Sequence, residues 1–159
     1  MRLLLVRHAP AEARGSGPDR ARELTAKGRK RFARAVERLE AQGVALDAVW
    51  TSPWRRAEQT ARLLSPLSAA APESTQLLAQ SPAGALLDRL LEAGPLYRTL
   101  ALVGHEPWIG QLAALLLFGN ARDASRLRFG KGSVAVLDGE PQPACMRLRS
   151  LQTLRELRS

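Results

Sequence analysis

The apolar positions of this chain alternate between two spacings. Residues 3–6 (Leu-Leu-Leu-Val) form a short unbroken apolar run of the kind a strand buried on both faces shows, and residues 48–51 and 99–103 repeat it. Between these runs the spacing lengthens to that of helices. Phe32, Val36 and Leu39 stand at i, i+4 and i+7 of a helix that Thr25 opens as N-cap and Gly43 closes. Ala57, Thr60, Ala61 and Leu64 give the inward stripe of a second helix, with Ser52 as its predicted N-cap and Pro53 in its first turn. Residues 82–93 predict a third, with Ala83, Leu86, Leu87, Leu90 and Leu91 on its apolar side and Gly94-Pro95 as its stop. Ile109, Leu112, Ala113 and Leu116 mark a fourth. Two further strands are expected at 133–137 and 144–148, neighbours joined at Asp138-Gly139. Residues 65–74, rich in Ala, Pro and Ser, read as a surface connection, and the last ten residues as a short helix or a frayed tail. Strands alternating with helices predict an α/β protein: a single three-layer α/β/α domain over residues 1–159, with a mainly parallel sheet and helices on both faces.

In open sheets of this kind, ligands collect outside the carboxyl ends of the strands. The residues that follow each apolar run are therefore the candidate chemistry. The first run ends at Arg7-His8, the second leads into Ser52-Pro53-Trp54-Arg55-Arg56, and the third into Gly104-His105-Glu106-Pro107. His8 and His105 are the only two histidines, and both follow strand ends. A cation in a helix's first turn opposes the helix dipole, so Arg55 and Arg56 invite a functional account. Arg56, beside the inward-facing Ala57, is the one expected in the site. The loop over 9–20, with Pro10, Gly15, Gly17 and Pro18, borders the same edge. Two imidazoles and two guanidiniums gathered there would cost on the order of several kcal/mol in repulsion and desolvation without an anion. A phosphate dianion cancels that cost, with Arg7 and Arg56 as forks and a protonated His105 as a further donor.

Composition narrows the partners. The chain carries 24 Lys and Arg against 15 Asp and Glu, a net charge of +9, which favours anionic partners. Arg29, Lys30, Arg31, Arg34 and Arg38 crowd the outer side of the first helix, but Glu37 and Glu40 interleave with them, so that side reads as solvated and nucleic acid is not the expected partner. The single cysteine, Cys145, cannot close an internal disulfide, and a reducing cytoplasm is the expected location. It is not a phosphatase nucleophile of the cysteine type, since Leu151 stands where that loop needs Arg; a small apolar strand residue is expected instead. Residues 3–6 are too short for a signal peptide and residues 112–118 too short to span a bilayer, so no membrane partner is expected. Two histidines and no cysteine cluster leave too few ligands for a soft metal, and Ile109 stands where a zinc-protease helix needs its second His. Gly130-Lys131-Gly132-Ser133 lacks the order of a P-loop, and Ser52 is not in a Gly-x-Ser-x-Gly turn. No metal or cofactor is expected.

The segments Arg7-His8-Ala9, Ser52-Pro53-Trp54-Arg55-Arg56-Ala57-Glu58-Gln59-Thr60 and Val103-Gly104-His105-Glu106-Pro107 resemble, in that order, the three signature segments of the histidine phosphatase, or phosphoglycerate mutase-like, superfamily. They are most similar to its short SixA-type phosphohistidine phosphatases. Asp19-Arg20-Ala21-Arg22-Glu23-Leu24-Thr25-Ala26-Lys27-Gly28 matches that group's Asp-x-x-Arg-x-Leu-Thr-x-x-Gly segment, and the resemblance runs from residue 1 to about residue 137. It implies that His8 is a nucleophile, transiently phosphorylated, that Arg7, Arg56 and His105 line the phosphate pocket, and that Arg22 sits at its mouth. It also implies a phosphorylated protein as the partner in histidine-based signalling.

The chain departs from larger members of that superfamily in one respect. They carry a Glu or Asp in the segment after the second helix, and residues 76–84 here contain no acid. An alkoxide leaving group needs a general acid, for which Glu106 is the remaining candidate. A protonated phosphohistidine releases neutral imidazole, whose conjugate acid has a pKa of about 6.5, and needs little help. Two other readings stay open: a phosphatase of small phosphoesters such as sugar phosphates or nucleotides, and a non-catalytic module that binds a phosphorylated ligand or nucleic acid.

Overall fold

Residues 1–158 are described by a computed structural model. β1 (Arg2–Arg7), β2 (Ala48–Thr51), β3 (Glu73–Ser74), β4 (Thr99–Gly104), β5 (Val134–Gly139) and β6 (Met146–Gln152) form one sheet in the order β3-β2-β4-β1-β5-β6. β1 to β4 pair in parallel, whereas β5 runs antiparallel to β1, and β6 to β5. Successive side chains of β1 point to opposite faces. Leu4 and Val6 pack with Phe32, Ala35, Val36 and Leu39 of α1 (Ala26–Ala41) and with Ala57 and Ala61 of α2 (Arg55–Leu63). Leu3 and Leu5 pack on the other side with Leu86 and Leu90 of α3 (Gly84–Ala93) and Ile109, Leu112 and Leu116 of α4 (Trp108–Phe118). A strand covered on both faces needs an unbroken apolar run, and this is why residues 3–6 do not alternate.

The register levels three strand ends. Val6 of β1 and Thr51 of β2 both stand beside Val103 of β4. The next residues continue the ladder: His8 N–H donates to the Gly104 carbonyl at 3.0 Å and Ser52 N–H to that of Val103 at 3.0 Å. Thr25 caps α1 as expected, its hydroxyl accepting the Gly28 N–H at 2.9 Å, while its own N–H donates to the Pro10 carbonyl at 3.1 Å. A Cβ at Gly28 would collide with that carbonyl, so the glycine is what lets the loop after β1 close onto the start of α1. Gly43, at φ +76°, ends the helix in the left-handed region.

Several expectations need correcting. α2 begins at Arg55, with Trp54 at the cap position, so Ser52 is not its N-cap. α3 begins at Gly84 rather than residue 82; a helix lying on one face of a sheet buries a narrow stripe, here Leu86, Leu90 and Ala93, and leaves Ala83 and Leu91 exposed. β3 falls within the stretch read as a surface connection; its two residues are both exposed and carry no apolar signal. Of the last ten residues, 150–158 are neither frayed nor purely helical, and Ser159 lies outside the described residues: β6 extends to Gln152, and Leu154 and Leu157 are buried in the cluster that contains α1. Cys145 lies just outside β6 and is exposed. No helix among the described residues is long and apolar enough to cross a membrane.

Candidate active site

The strand ends and the first turn of α2 bring His8, Arg56 and His105 together, with Arg7 beside them. Thr60, one turn along α2, ties the parts: its hydroxyl accepts the Ala9 N–H at 3.0 Å and donates to the Arg56 carbonyl at 2.7 Å. His8 is 4% exposed. Its Nδ1 lies 2.8 Å from the Ala9 carbonyl, which only accepts, so Nδ1 carries the proton and Nε2 the lone pair. That lone pair accepts the Arg56 Nε–H at 3.1 Å. Burial lowers the His8 pKa to about 4, and the charges of Arg56, Arg7 and Lys131 reinforce this. At neutral pH the ring is therefore uncharged, the form in which Nε2 can attack an electrophile.

His105 faces His8 with 5.3 Å between ring centroids. Its Nε2 lies 2.8 Å from Ser52 Oγ, and that oxygen also accepts the Trp54 N–H at 3.2 Å. With the serine proton donated to Nε2, the ring proton sits on Nδ1. Buried His105 Nδ1 and Arg7 Nε have no hydrogen-bond partner. Two buried donors left open each cost about 1–3 kcal/mol, which an oxyanion between them would recover. His105 was expected to be protonated; instead burial, followed by the repulsion of His8 and Arg56, lowers its pKa to about 3. As a neutral ring it can still donate through Nδ1.

Arg7 Nη1 donates to the Phe129 carbonyl at 2.6 Å. Arg56, 3% exposed, is held from the loop after β1: Nη1 donates to the Asp19 carbonyl at 2.7 Å and Nη2 to Asp19 Oδ2 at 3.0 Å. Arg22 joins the same carboxylate, its Nε donating to Asp19 Oδ1 at 2.8 Å and its Nη1 to the Glu12 carbonyl at 2.9 Å. Arg22 is thus linked to Arg56 through Asp19. Arg55 is exposed and pairs with Glu23. Burial raises the pKa of Glu106, against the charge of Arg7 and the Gly110 N–H that Oε1 accepts at 3.1 Å.

Reasoning from residue types missed three contributors. Asp19 stood in the Asp-x-x-Arg segment, and its spacing of three from Arg22 was the available signal. Ser52, before Pro53, has the local signature of a helix cap. Lys131, set aside with the failed P-loop, belongs to a turn whose Gly132 N–H reaches both the His8 carbonyl at 2.9 Å and that of Arg7 at 3.2 Å. Among the described residues, no three His, Cys, Asp or Glu side chains are grouped to hold a metal ion.

The two depressed histidines make stability depend on pH. Both are neutral in the folded chain until about pH 4 and 3, whereas unfolded histidine takes up a proton below about 6.5. The unfolded state therefore binds more protons between those limits, and stability present above pH 6.5 is lost as pH falls towards 4. Urea denaturation should show a loss of order 2 kcal/mol for each histidine, about 4 kcal/mol together, between pH 7 and pH 5. Replacing both histidines with Gln should flatten that slope; an equal slope in the double variant would place the titration elsewhere.

Comparison with known proteins gives three kinds of likeness. Residues 3–80 match the family model of the histidine phosphatase superfamily, branch 1. An uncharacterized protein of a Picosynechococcus strain is 35% identical over 126 residues, covering 75% of this chain and 74% of that one. Among solved structures, the protein histidine phosphatase SixA complexed with tungstate superposes with a TM-score of 0.83 at 21% identity, over 99% of each chain. An alpha-ribazole phosphatase from Shigella flexneri gives 0.74 at 20% identity over 97% of each chain. A mutant phosphoserine phosphatase from Entamoeba histolytica, bound to phosphoserine, gives 0.71 at 15% identity over 98% of each.

Proposed function

Because this chain belongs to the histidine phosphatase superfamily and is a phosphatase, we propose that it hydrolyses phosphohistidine carried on proteins, without a metal ion, through a covalent intermediate on His8. The phosphoryl group docks against Arg7, Arg56 and the Nδ1–H of His105. His8 Nε2 then attacks phosphorus, and the Arg56 Nε–H that it had accepted turns to a phosphoryl oxygen. The P–N bond breaks with its electron pair going to the leaving nitrogen. Because the substrate's ring already carries a proton, it departs as neutral imidazole. Water attacks phospho-His8, releasing inorganic phosphate and the free imidazole. Arg22, reached through Asp19, lies where a substrate would enter. A phosphorylated protein in the cytoplasm is the partner this reading assigns, and the lone exposed Cys145 suits a reducing compartment.

The observation that carries the preference is what stands beside His105. Leu77, Leu78 and Gln80 share a small cavity with it, so the segment after the second helix offers aliphatic groups and an amide and no carboxyl. One observation favours the second reading, a small-molecule phosphomonoesterase: Glu106, its carboxyl held protonated to higher pH by burial, is an acid next to His105 in sequence. Three substrates on one preparation decide between them. A phosphohistidine peptide should exceed an unactivated alkyl phosphate in kcat/KM by about 10²–10⁴, the usual worth of a general acid, and p-nitrophenyl phosphate should fall between, with EDTA changing none of the three. Equal rates on alkyl phosphate and phosphohistidine would give the second reading; loss of activity in EDTA would remove metal independence.

A further inference from the structure

Two of the chain's three tryptophans stand at this one site, in a protein only 4% aromatic. Trp54 precedes α2 and Trp108 opens α4. Both are partly exposed. Trp54 lies 4.6 Å from the His105 ring, centroid to centroid, and the Arg56 guanidinium carbon stands 4.8 Å from its ring centre. Trp108 meets Trp54 edge-on at 5.7 Å and His105 at 6.0 Å. The two indoles therefore form a continuous wall against the same imidazole and guanidinium that face His8.

Local structure does not ask for an indole at Trp54. Trp54 occupies a helix cap position, where Ser, Asp or Asn would accept an amide proton, and it makes no side-chain cap bond. Ser52 accepts the Trp54 N–H instead. A large half-exposed aromatic placed against local preference beside reactive groups is where function is to be sought. We infer that Trp54 and Trp108 are specificity-determining residues, forming a subsite for a flat aromatic leaving group stacked beside the phosphate, so that the enzyme selects phosphorylated rings, the imidazole of phosphohistidine among them. The inference rests on the phosphatase reading above, but it concerns the shape of the leaving group and not the bond that breaks.

Four probes separate those two variables. N-phosphoimidazole and phosphoramidate share a P–N bond, with and without a ring; phenyl phosphate and methyl phosphate do the same for P–O. Each variant is compared with the unaltered protein on each probe, which removes intrinsic leaving-group reactivity. Trp54→Leu should lower kcat/KM for the two ring substrates about fivefold more than for the two ringless ones, and Trp54→Phe should restore most of that difference. An equal fall on all four would mean that Trp54 merely supports His105 and Arg56, and would overturn the inference. The unaltered protein gives an independent reading: phenylphosphonate should inhibit it at about one-tenth the concentration of methylphosphonate, and equal inhibition would also overturn the inference. A preference for P–O over P–N within each pair, with the ring effect of Trp54→Leu retained, would sink the phosphohistidine reading and leave the aromatic subsite standing.

Discussion

Replacing His8 with alanine should lower kcat by on the order of 10⁴ or more, because it removes the nucleophile and not a contributor to binding. In the unaltered protein, quenching with labelled substrate at short times should leave label on the chain that survives base and is lost in acid. That is the behaviour of a P–N bond, whose imidazole becomes a good leaving group on protonation. The label should be absent from the His8→Ala chain. The fold should survive at neutral pH, since the main-chain bonds of this turn are made by His8 N–H to Gly104 and by Gly132 N–H to the Arg7 and His8 carbonyls, not by the imidazole. A folded His8→Ala protein that kept its function would refute the covalent route. If charge reversal at Arg29, Arg31 and Arg34 then destroyed that function, the chain would act as a binding module through the solvated side of α1.

Which parts of this site could be read in the sequence follows from what each residue does. His8 and His105 were legible because apolar runs fix where strands end, and an open sheet puts chemistry there. Arg56 was legible through a conflict, a cation in the first turn of a helix. Ser52 was misread because Ser before Pro satisfies the local rule for a cap, and only the packing of β2 against β4 reveals that its hydroxyl faces His105. Asp19 lies 37 positions from Arg56, and no periodicity connects a loop carboxylate to a distant guanidinium. The charge of His105 was misjudged for a related reason: protonation follows burial and neighbouring cations, and both are properties of the assembled sheet edge. β3 left no trace because two exposed residues at a sheet edge need no pattern.

Arg56 is where the geometry makes its strongest demand on a single side chain. Its Nε–H reaches His8 while Nη1 and Nη2 both reach Asp19, so three bonds in one plane aim the fork. Arg56→Ala should lower kcat/KM by about 10²–10³, the usual cost of removing one preorganised donor from a developing oxyanion. Arg56→Lys should recover little, because an ammonium on a flexible stem cannot make the three bonds at once. The loss should be larger in kcat than in KM, since the Nε–H is released to the phosphoryl group only as His8 attacks. Asp19→Asn should cost less: the carbonyl that holds Nη1 is unchanged, and the amide oxygen can replace one carboxylate oxygen. A second readout separates aiming from simple charge. The Arg56 cation helps to depress the His8 pKa, so in both Arg56→Ala and an Arg56→Gln variant the acid limb of the pH profile should move towards neutrality, while in Arg56→Lys it should stay low. Full activity in Arg56→Lys, with the acid limb unmoved, would mean that charge alone is required at this position and that the planar fork held by Asp19 plays no part in the reaction.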